Sequence, residues 1–319
     1  MVEVSGSSES FESIEFSGIW VPLVTPFRNG ELDLPALRRL VKHLLAQGVS
    51  GLVACGSTGE AAMLDEAEQS AVLAATLDAA AGAPVLMGLS GVRPERVAER
   101  AVRLADEHAS LAGYLVSAPA YVKPSQAGLL GFFVRVADAS PLPLVVYDIP
   151  SRTGVRIECA TLLQLSAHPR IQALKDCSGD ADAARALIGD GRLALLGGND
   201  DEMFDQLARG AAGAFAASAH LCSADFVRLH RLIGTGQLAD ARALWGSALQ
   251  GLAAVTEALF AEPNPAVIKG LLARQGWMTD EVRVPMCVAA RASVDRAEAV
   301  CLQVSRQLSW QVSQPIRAR

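Results

Sequence analysis

Short apolar runs recur along the chain with amphipathic stretches between them. The runs are Gly18-Ile19-Trp20-Val21, Gly51 to Cys55, Pro84 to Met87, Gly113 to Val116, Pro143 to Tyr147, Ile171 to Lys175, Leu193 to Leu196 and Gly213 to Ala216. Their starts lie 20 to 33 residues apart. Each is apolar almost throughout rather than alternating, the pattern of parallel strands covered on both faces. Between them the spacing becomes helical. Residues 34–47 put Leu37, Leu40, Val41, Leu44 and Leu45 on one stripe, and 95–108 and 125–137 behave alike. Eight such units predict an α/β fold, a (βα)₈ TIM barrel over residues 17–235. An open doubly wound sheet is the alternative, but no GxGxxG follows any run.

After residue 235 the strand pattern stops. Helical spacing over 237–260, 265–275 and 294–312 predicts a C-terminal helical region, 236–319, packed on the barrel. Residues 1–16 are rich in Ser and Glu, with neither a basic nor an apolar segment of an export signal, and are expected to form a loose tail.

Composition narrows the classes. Hydrophobic residues make up 51% and charged residues 19%, which excludes a disordered chain. A net charge of −6 without a Lys/Arg cluster argues against nucleic acid as a partner. No apolar run approaches the ~20 residues that span a bilayer, so no membrane partner is expected. Six cysteines at spacings foreign to zinc sites read as reduced thiols, and a cytoplasmic setting is expected.

In such a barrel the chemistry sits at the C-terminal ends of the strands. The sixth run ends in Lys175, one of only four lysines beside 24 arginines. Burial there disfavours the ammonium, so a lowered pKa and a nucleophilic amine are expected. The plain alternative is a lysine snorkelling to the surface or paired with Asp176. After the second run, Gly56-Ser57-Thr58-Gly59-Glu60 offers close backbone approach and two hydroxyls for a carboxylate, or an ordinary capped turn. After the fourth comes Tyr121, a proton donor or loop packing. The fifth ends in Tyr147-Asp148-Ile149-Pro150-Ser151-Arg152-Thr153-Gly154, where Arg152 presents a planar fork to a carboxylate or pairs with a surface acid. Gly197-Gly198-Asn199-Asp200 follows the seventh run, a close backbone approach or a tight turn before a helix from Glu202. Singly these signals are modest. Their gathering at one end of one barrel is what carries weight.

The assembled set resembles the dihydrodipicolinate synthase / N-acetylneuraminate lyase family of class I, pyruvate-dependent aldolases. The resemblance runs from about Gly18 to the C-terminal helices. It rests on Gly56 to Glu60, Tyr121 to Gln126, Tyr147 to Gly154, Lys175-Asp176 and Glu262-Pro263-Asn264-Pro265. It implies a Schiff base between Lys175 and pyruvate, acid–base work by Tyr147, and a proton relay through Ser57. It implies that Thr58 and Gly59 hold the pyruvate carboxylate and that Arg152 receives the carboxylate of a second substrate. Phe215, in the eighth run, joins the substrate-binding set. Tyr121 matches a tyrosine that crosses a dimer interface into the neighbouring site, so a homodimer or homotetramer is implied. No metal or organic cofactor is expected.

Arg152 favours the synthase branch, which condenses pyruvate with aspartate semialdehyde. Ser57 in place of the usual threonine, and Ala120 where many synthases carry a second tyrosine, depart from it. They leave open an aldolase or dehydratase of a 2-keto-3-deoxy sugar acid. A non-catalytic keto-acid-binding protein is the third reading.

Overall fold

In the computed structural model, which describes residues 14–247 and 249–312, every apolar run becomes a strand. They are β1 (Gly18–Pro22), β2 (Gly51–Ala54), β3 (Val85–Leu89), β4 (Gly113–Ser117), β5 (Leu144–Asp148), β6 (Ile171–Asp176), β7 (Ala194–Gly197) and β8 (Gly213–Phe215). All pairings among them are parallel, each strand bonds to the next, and β1 closes on β8 with Trp20 opposite Phe215. The eight helices that follow the strands are α1 (Leu34–Ala46), α2 (Glu66–Ala80), α3 (Pro94–Glu107), α4 (Gln126–Ala139), α5 (Cys159–Leu165), α6 (Ala181–Asp190), α7 (Met203–Ala208) and α8 (Ser223–Gly234). The chain is a (βα)₈ barrel, as the pattern predicted.

Two separate apolar clusters explain why the strands lack alternation. One fills the barrel: Trp20, Val53, Leu86, Leu115, Val145, Ala173, Leu196 and Phe215. The other lies between strands and helices and includes Leu37, Leu40 and Leu44 of α1 and Phe133 of α4. Each strand feeds both, and each fully buried Leu, Val or Phe contributes ~1.5–3 kcal/mol. Caps fix where the helices begin: Asp33 accepts from the Ala36 N–H at 3.0 Å, and Asp65 and Glu68 form a reciprocal capping box.

Three local expectations change. Residues 237–260 are not one helix. They divide into α9 (Leu238–Trp245) and α10 (Gly251–Leu259) because Gly246 (φ 73°) and Gly251 (φ 76°) are left-handed. A Cβ at Gly246 would strike the Gln250 carbonyl, so only glycine fits. Phe16, within the expected tail, is buried and stacks on Trp20 with ring centroids 5.8 Å apart. The rest of that stretch, residues 1–13, lies outside the described residues. Lastly, Asn29-Gly30 turns a small hairpin, Phe27–Arg28 against Glu31–Leu32, which the strand reading passed over.

The C-terminal region continues with α11 (Ala266–Arg274) and α12 (Arg291–Val312). Its segment before α12 clasps the hairpin: both Glu281 oxygens accept backbone N–H groups, from Asn29 and Gly30, at 2.9 Å. Among the described residues no helix is long and apolar enough to cross a membrane.

Candidate active site

Alternation along β6 sends Ala173, Lys175 and Cys177 into the barrel, and along β5 it sends Val145 and Tyr147 there. Tyr147 and Lys175 are register partners on these adjacent parallel strands, so the sheet itself brings them together. The Lys175 Nζ stands 4.3 Å from the centre of the Tyr147 ring and 5.5 Å from that of Phe215. Lys175 is only 4% exposed. It neither snorkels nor pairs with Asp176, whose Oδ1 accepts the Ser178 N–H at 2.9 Å.

The lysine opens onto a cavity of about 970 Å³ between the barrel mouth and the C-terminal helices. Ser57, Thr58, Tyr147, Arg152, Cys177, Asp200, Phe215 and Asn264 share its wall. The loops after four different strands and the turn before α11 therefore converge on one amine.

The electrostatics correct the simple burial argument. Burial does oppose the ammonium form of Lys175, but Tyr147, Cys177 and Asp200 outweigh it and hold the amine above lysine's ordinary value. A lowered pKa was expected from the strand alone; Tyr147 on β5, Cys177 further along β6 and Asp200 after β7 reverse the sign. Tyr147 is itself pushed up, chiefly by burial, while Lys175, a Ser57 hydrogen bond and Arg152 pull it back. Burial pushes the Cys177 thiol up to about 12, while Lys175 pulls it back. Asp200 is buried too, and burial raises it against a hydrogen bond from the Ser218 N–H at 2.6 Å.

The loop after β2 makes the second half of the site. Its ends, Cys55 (φ 54°) and Glu60 (φ 56°), are both left-handed, and the tight turn between them faces the backbone inward. Among the described residues the N–H groups of Ser57 and Thr58 have no internal acceptor. Thr58 Oγ1 accepts from Asn264 Nδ2 at 2.9 Å, which leaves the hydroxyl proton to point elsewhere. Two amides and a hydroxyl without internal acceptors, in the wall that holds Lys175, are a donor set suited to an anion. Gly59 does not share that wall. Its N–H donates to Gly56 at 3.0 Å and its carbonyl accepts from Thr25 Oγ1 at 2.7 Å. A Cβ there would come within 2.9 Å of the Leu23 carbonyl. Packing alone requires glycine at this position.

Arg152 lies on the single turn Pro150–Thr153, held by the Thr153 hydroxyl on the Ile149 carbonyl at 3.0 Å. It is exposed, and among the described residues its guanidinium has no hydrogen bond or ion pair; Asp148 is buried and turned to the Ile157 N–H instead. An unpaired guanidinium at the cavity wall is suited to a second carboxylate. Phe215 forms an apolar wall, tilted against Trp20 at 5.8 Å. Like Gly59, Tyr121 is not brought to the cavity wall by the single chain. It is 95% exposed, at φ 72°, on the loop after β4.

The sequence reading passed over Asp200, Cys177 and Asn264 as site residues. Asp200 and Cys177 carried a signal in their places just past β7 and β6. Asn264 had none beyond its motif, because its contact with Thr58 spans 206 residues. Gly198 was read as a close backbone approach, and it is one: a Cβ there would meet Lys175 Cγ at 2.9 Å and Cε at 3.0 Å. Among the described residues no group of three or more His, Cys, Asp or Glu is placed to hold a metal ion.

Comparison with known proteins agrees with this geometry. The profile of the Dihydrodipicolinate synthetase family matches residues 15–303. The 4-hydroxy-tetrahydrodipicolinate synthase of Erythrobacter litoralis is 39% identical over 284 residues, covering 87% of this chain and 95% of that protein. That of Trichlorobacter lovleyi is 35% identical over 289 residues, covering 89% and 97%. The crystal structure of dihydrodipicolinate synthase from Thermotoga maritima superposes with a TM-score of 0.85 at 28% identity, covering 91% of this chain and 99% of that one.

Proposed function

Since the chain belongs to the dihydrodipicolinate synthetase family, we propose that it is a 4-hydroxy-tetrahydrodipicolinate synthase, a lyase of the class I aldolase type acting on pyruvate and aspartate semialdehyde. The observation that carries this reading is the juxtaposition of Lys175, Tyr147, the Ser57–Thr58 cradle and the unpaired Arg152 around one cavity.

In this mechanism the pyruvate carboxylate enters the cradle of Ser57 and Thr58 N–H groups and the Thr58 hydroxyl. That places the keto carbon before Lys175. Tyr147 relays a proton from the ammonium to the keto oxygen as the freed amine adds to C2. A second proton follows from that nitrogen through the phenol to the same oxygen, and water leaves the protonated imine. The iminium withdraws electrons, so C3 gives up a proton and becomes the enamine carbon. That carbon attacks the aldehyde of the second substrate, whose carboxylate rests on Arg152. The aldehyde oxygen takes up the proton released from C3, and the second substrate's own amino group then displaces Lys175 by ring closure. Ser57, hydrogen-bonded to Tyr147, carries protons to and from the phenol. Glycine at 59 lets the cradle adopt its shape.

The exposure of Tyr121, with Val122 and Val92 each 51% exposed along one surface pocket, supports a homodimer or homotetramer in which this tyrosine enters a second copy's cavity. Six unpaired thiols support a cytoplasmic setting. Mass measurement in solution and cross-feeding of Tyr121→Phe and Lys175→Ala subunits test the shared site: a stable, fully active monomer would refute it.

Borohydride reduction in the presence of pyruvate tests the core of the reading. A mass increase on Lys175 is expected; its absence points to a keto-acid-binding protein without Schiff-base chemistry. A coupled assay that sets aspartate semialdehyde against 2-keto-3-deoxy sugar acids then identifies the branch. Preferential turnover of a sugar acid would move the chain out of the synthase branch while leaving the imine in place.

A further inference from the structure

We propose that Glu60 and Lys269 are positioning residues for the reaction, a buried strut through which the C-terminal helices fix the keto-acid cradle. The inference rests on the Schiff-base reading above. Neither residue lines the cavity, so neither touches substrate. Their side chains are 0% exposed and meet at 2.6 Å. Lys269 also donates to the Thr25 carbonyl at 2.9 Å and lies 4.3 Å from the Phe27 ring centre. The other Glu60 oxygen accepts the Arg283 N–H at 2.8 Å. Both charges are therefore fully engaged.

The strut acts on the cradle through short links. Glu60 stands two residues after Thr58 in a left-handed conformation, where a small rotation swings the preceding turn. Its own N–H bonds to the Ser57 carbonyl at 3.2 Å, and Ala61 N–H to Gly56 at 3.4 Å, so residues 56–61 move as one piece. Lys269 belongs to α11, just beyond Asn264, which holds Thr58 Oγ1 at 2.9 Å. One C-terminal element thus grips the cradle twice: by charge at Glu60 and by amide at Thr58. Mere stability gives little reason for this arrangement, since apolar side chains of equal volume commonly serve a core as well as a buried ion pair. A charged pair instead fixes distance and direction, which is what a preorganised anion site needs.

Two variants test this. Glu60→Asp keeps both charges and shortens the strut. The double variant Glu60→Gln/Lys269→Met removes both charges at similar volume. Borohydride trapping on Lys175 is followed against pyruvate concentration, together with KM for the second substrate and thermal unfolding. In each variant the pyruvate concentration for half-maximal trapping is expected to rise about tenfold, within the ~10²-fold that a misplacement of about 1 Å can cause. The maximal trapping rate and the second-substrate KM are expected to change less than about threefold. A folded Glu60→Asp enzyme with the parent's half-saturation overturns the proposal. So does an equal loss in all three kinetic constants, which is the mark of a merely structural role. Should the double variant not fold, Glu60→Asp decides alone. Failure of the unmodified enzyme to be trapped at all would instead strike the Schiff-base reading itself.

Discussion

Gly198→Ala is a small change with a large expected effect, because the added methyl group meets the lysine stem rather than open space. Gly198 follows β7 and its N–H donates to the Asp176 carbonyl at 2.8 Å, so its backbone is pinned beside β6. The new Cβ would lie 2.9 Å from Lys175 Cγ and 3.0 Å from Cε, and it would also strike Cys177 Sγ. Carbon atoms in comfortable contact stand about 3.5–4.0 Å apart, so the stem must yield by roughly 0.5–1 Å. Tyr147 and Phe215 wall the other side of the amine, and the displacement passes to Nζ. A shift of that size costs up to ~10²-fold in rate, or about 2.7 kcal/mol of barrier. Overpacking adds a stability loss of ~1–3 kcal/mol. Single-turnover trapping of the pyruvate imine, with unfolding followed in parallel, separates the two. Adding Cys177→Ala should restore stability by removing the sulfur clash while the rate stays low. A Gly198→Ala enzyme that forms imine within about threefold of the parent rate would refute the reasoning.

Three further outcomes follow from the geometry. Tyr147→Phe keeps the packed ring but removes the proton-carrying hydroxyl; kcat should fall ~10²–10⁴-fold with little change in unfolding temperature, and a fall below tenfold would assign the proton transfers elsewhere. Arg152→Ala should raise KM for the second substrate by more than tenfold, as the loss of a charged hydrogen-bonding partner of ~1.5–3 kcal/mol implies, while borohydride trapping with pyruvate continues. Equal damage to both steps would remove Arg152 from its assigned place. Burial holds His220 down to about 4; its Nδ1 faces the Ala217 carbonyl at 2.8 Å and its Nε2 accepts the Val24 N–H at 3.2 Å, so the folded chain keeps it neutral. The unfolded chain takes up that proton near pH 6.5, so this residue's contribution is intact above pH 6.5 and declines toward pH 4, by about 3 kcal/mol in all. Asp148, pushed up to about 7 by burial, titrates in the same range with opposite sign. The check is therefore the difference in unfolding free energy between parent and His220→Gln, which should shrink from pH 7 to pH 4; a constant difference contradicts the assignment.

The strand order was readable because each strand is covered on both faces, and continuous apolar runs such as Val145-Val146-Tyr147 have no other simple use. The break between α9 and α10 was not, since Gly246 tolerates a helical pattern until one sees the Gln250 carbonyl it must clear. Lys175 and Tyr147 could be paired from sequence because each ends a strand of the same sheet. The direction of the Lys175 shift could not, because it depends on how closely Tyr147 and Asp200 approach from other strands. The packing need at Gly59 was hidden for a related reason: a glycine in a ligand loop looks the same in sequence whether or not a carbonyl such as that of Leu23 stands behind it. Asn264–Thr58 and Glu60–Lys269 are tertiary contacts across more than 200 residues, outside the reach of any local pattern.

The register pairing of Tyr147 with Lys175 has a consequence for how such a protein changes over time. The proposed nucleophile and its proposed acid–base partner ride on rigid staves bonded edge to edge, whereas the groups that would grip substrate ends sit on rims: the turn after β2, the single helical turn after β5, and the C-terminal cover. Rims can be rewritten without disturbing staves. A search for new acceptor aldehydes should accordingly randomise Ser151, Arg152, Thr256 and Phe260, and leave both strands untouched.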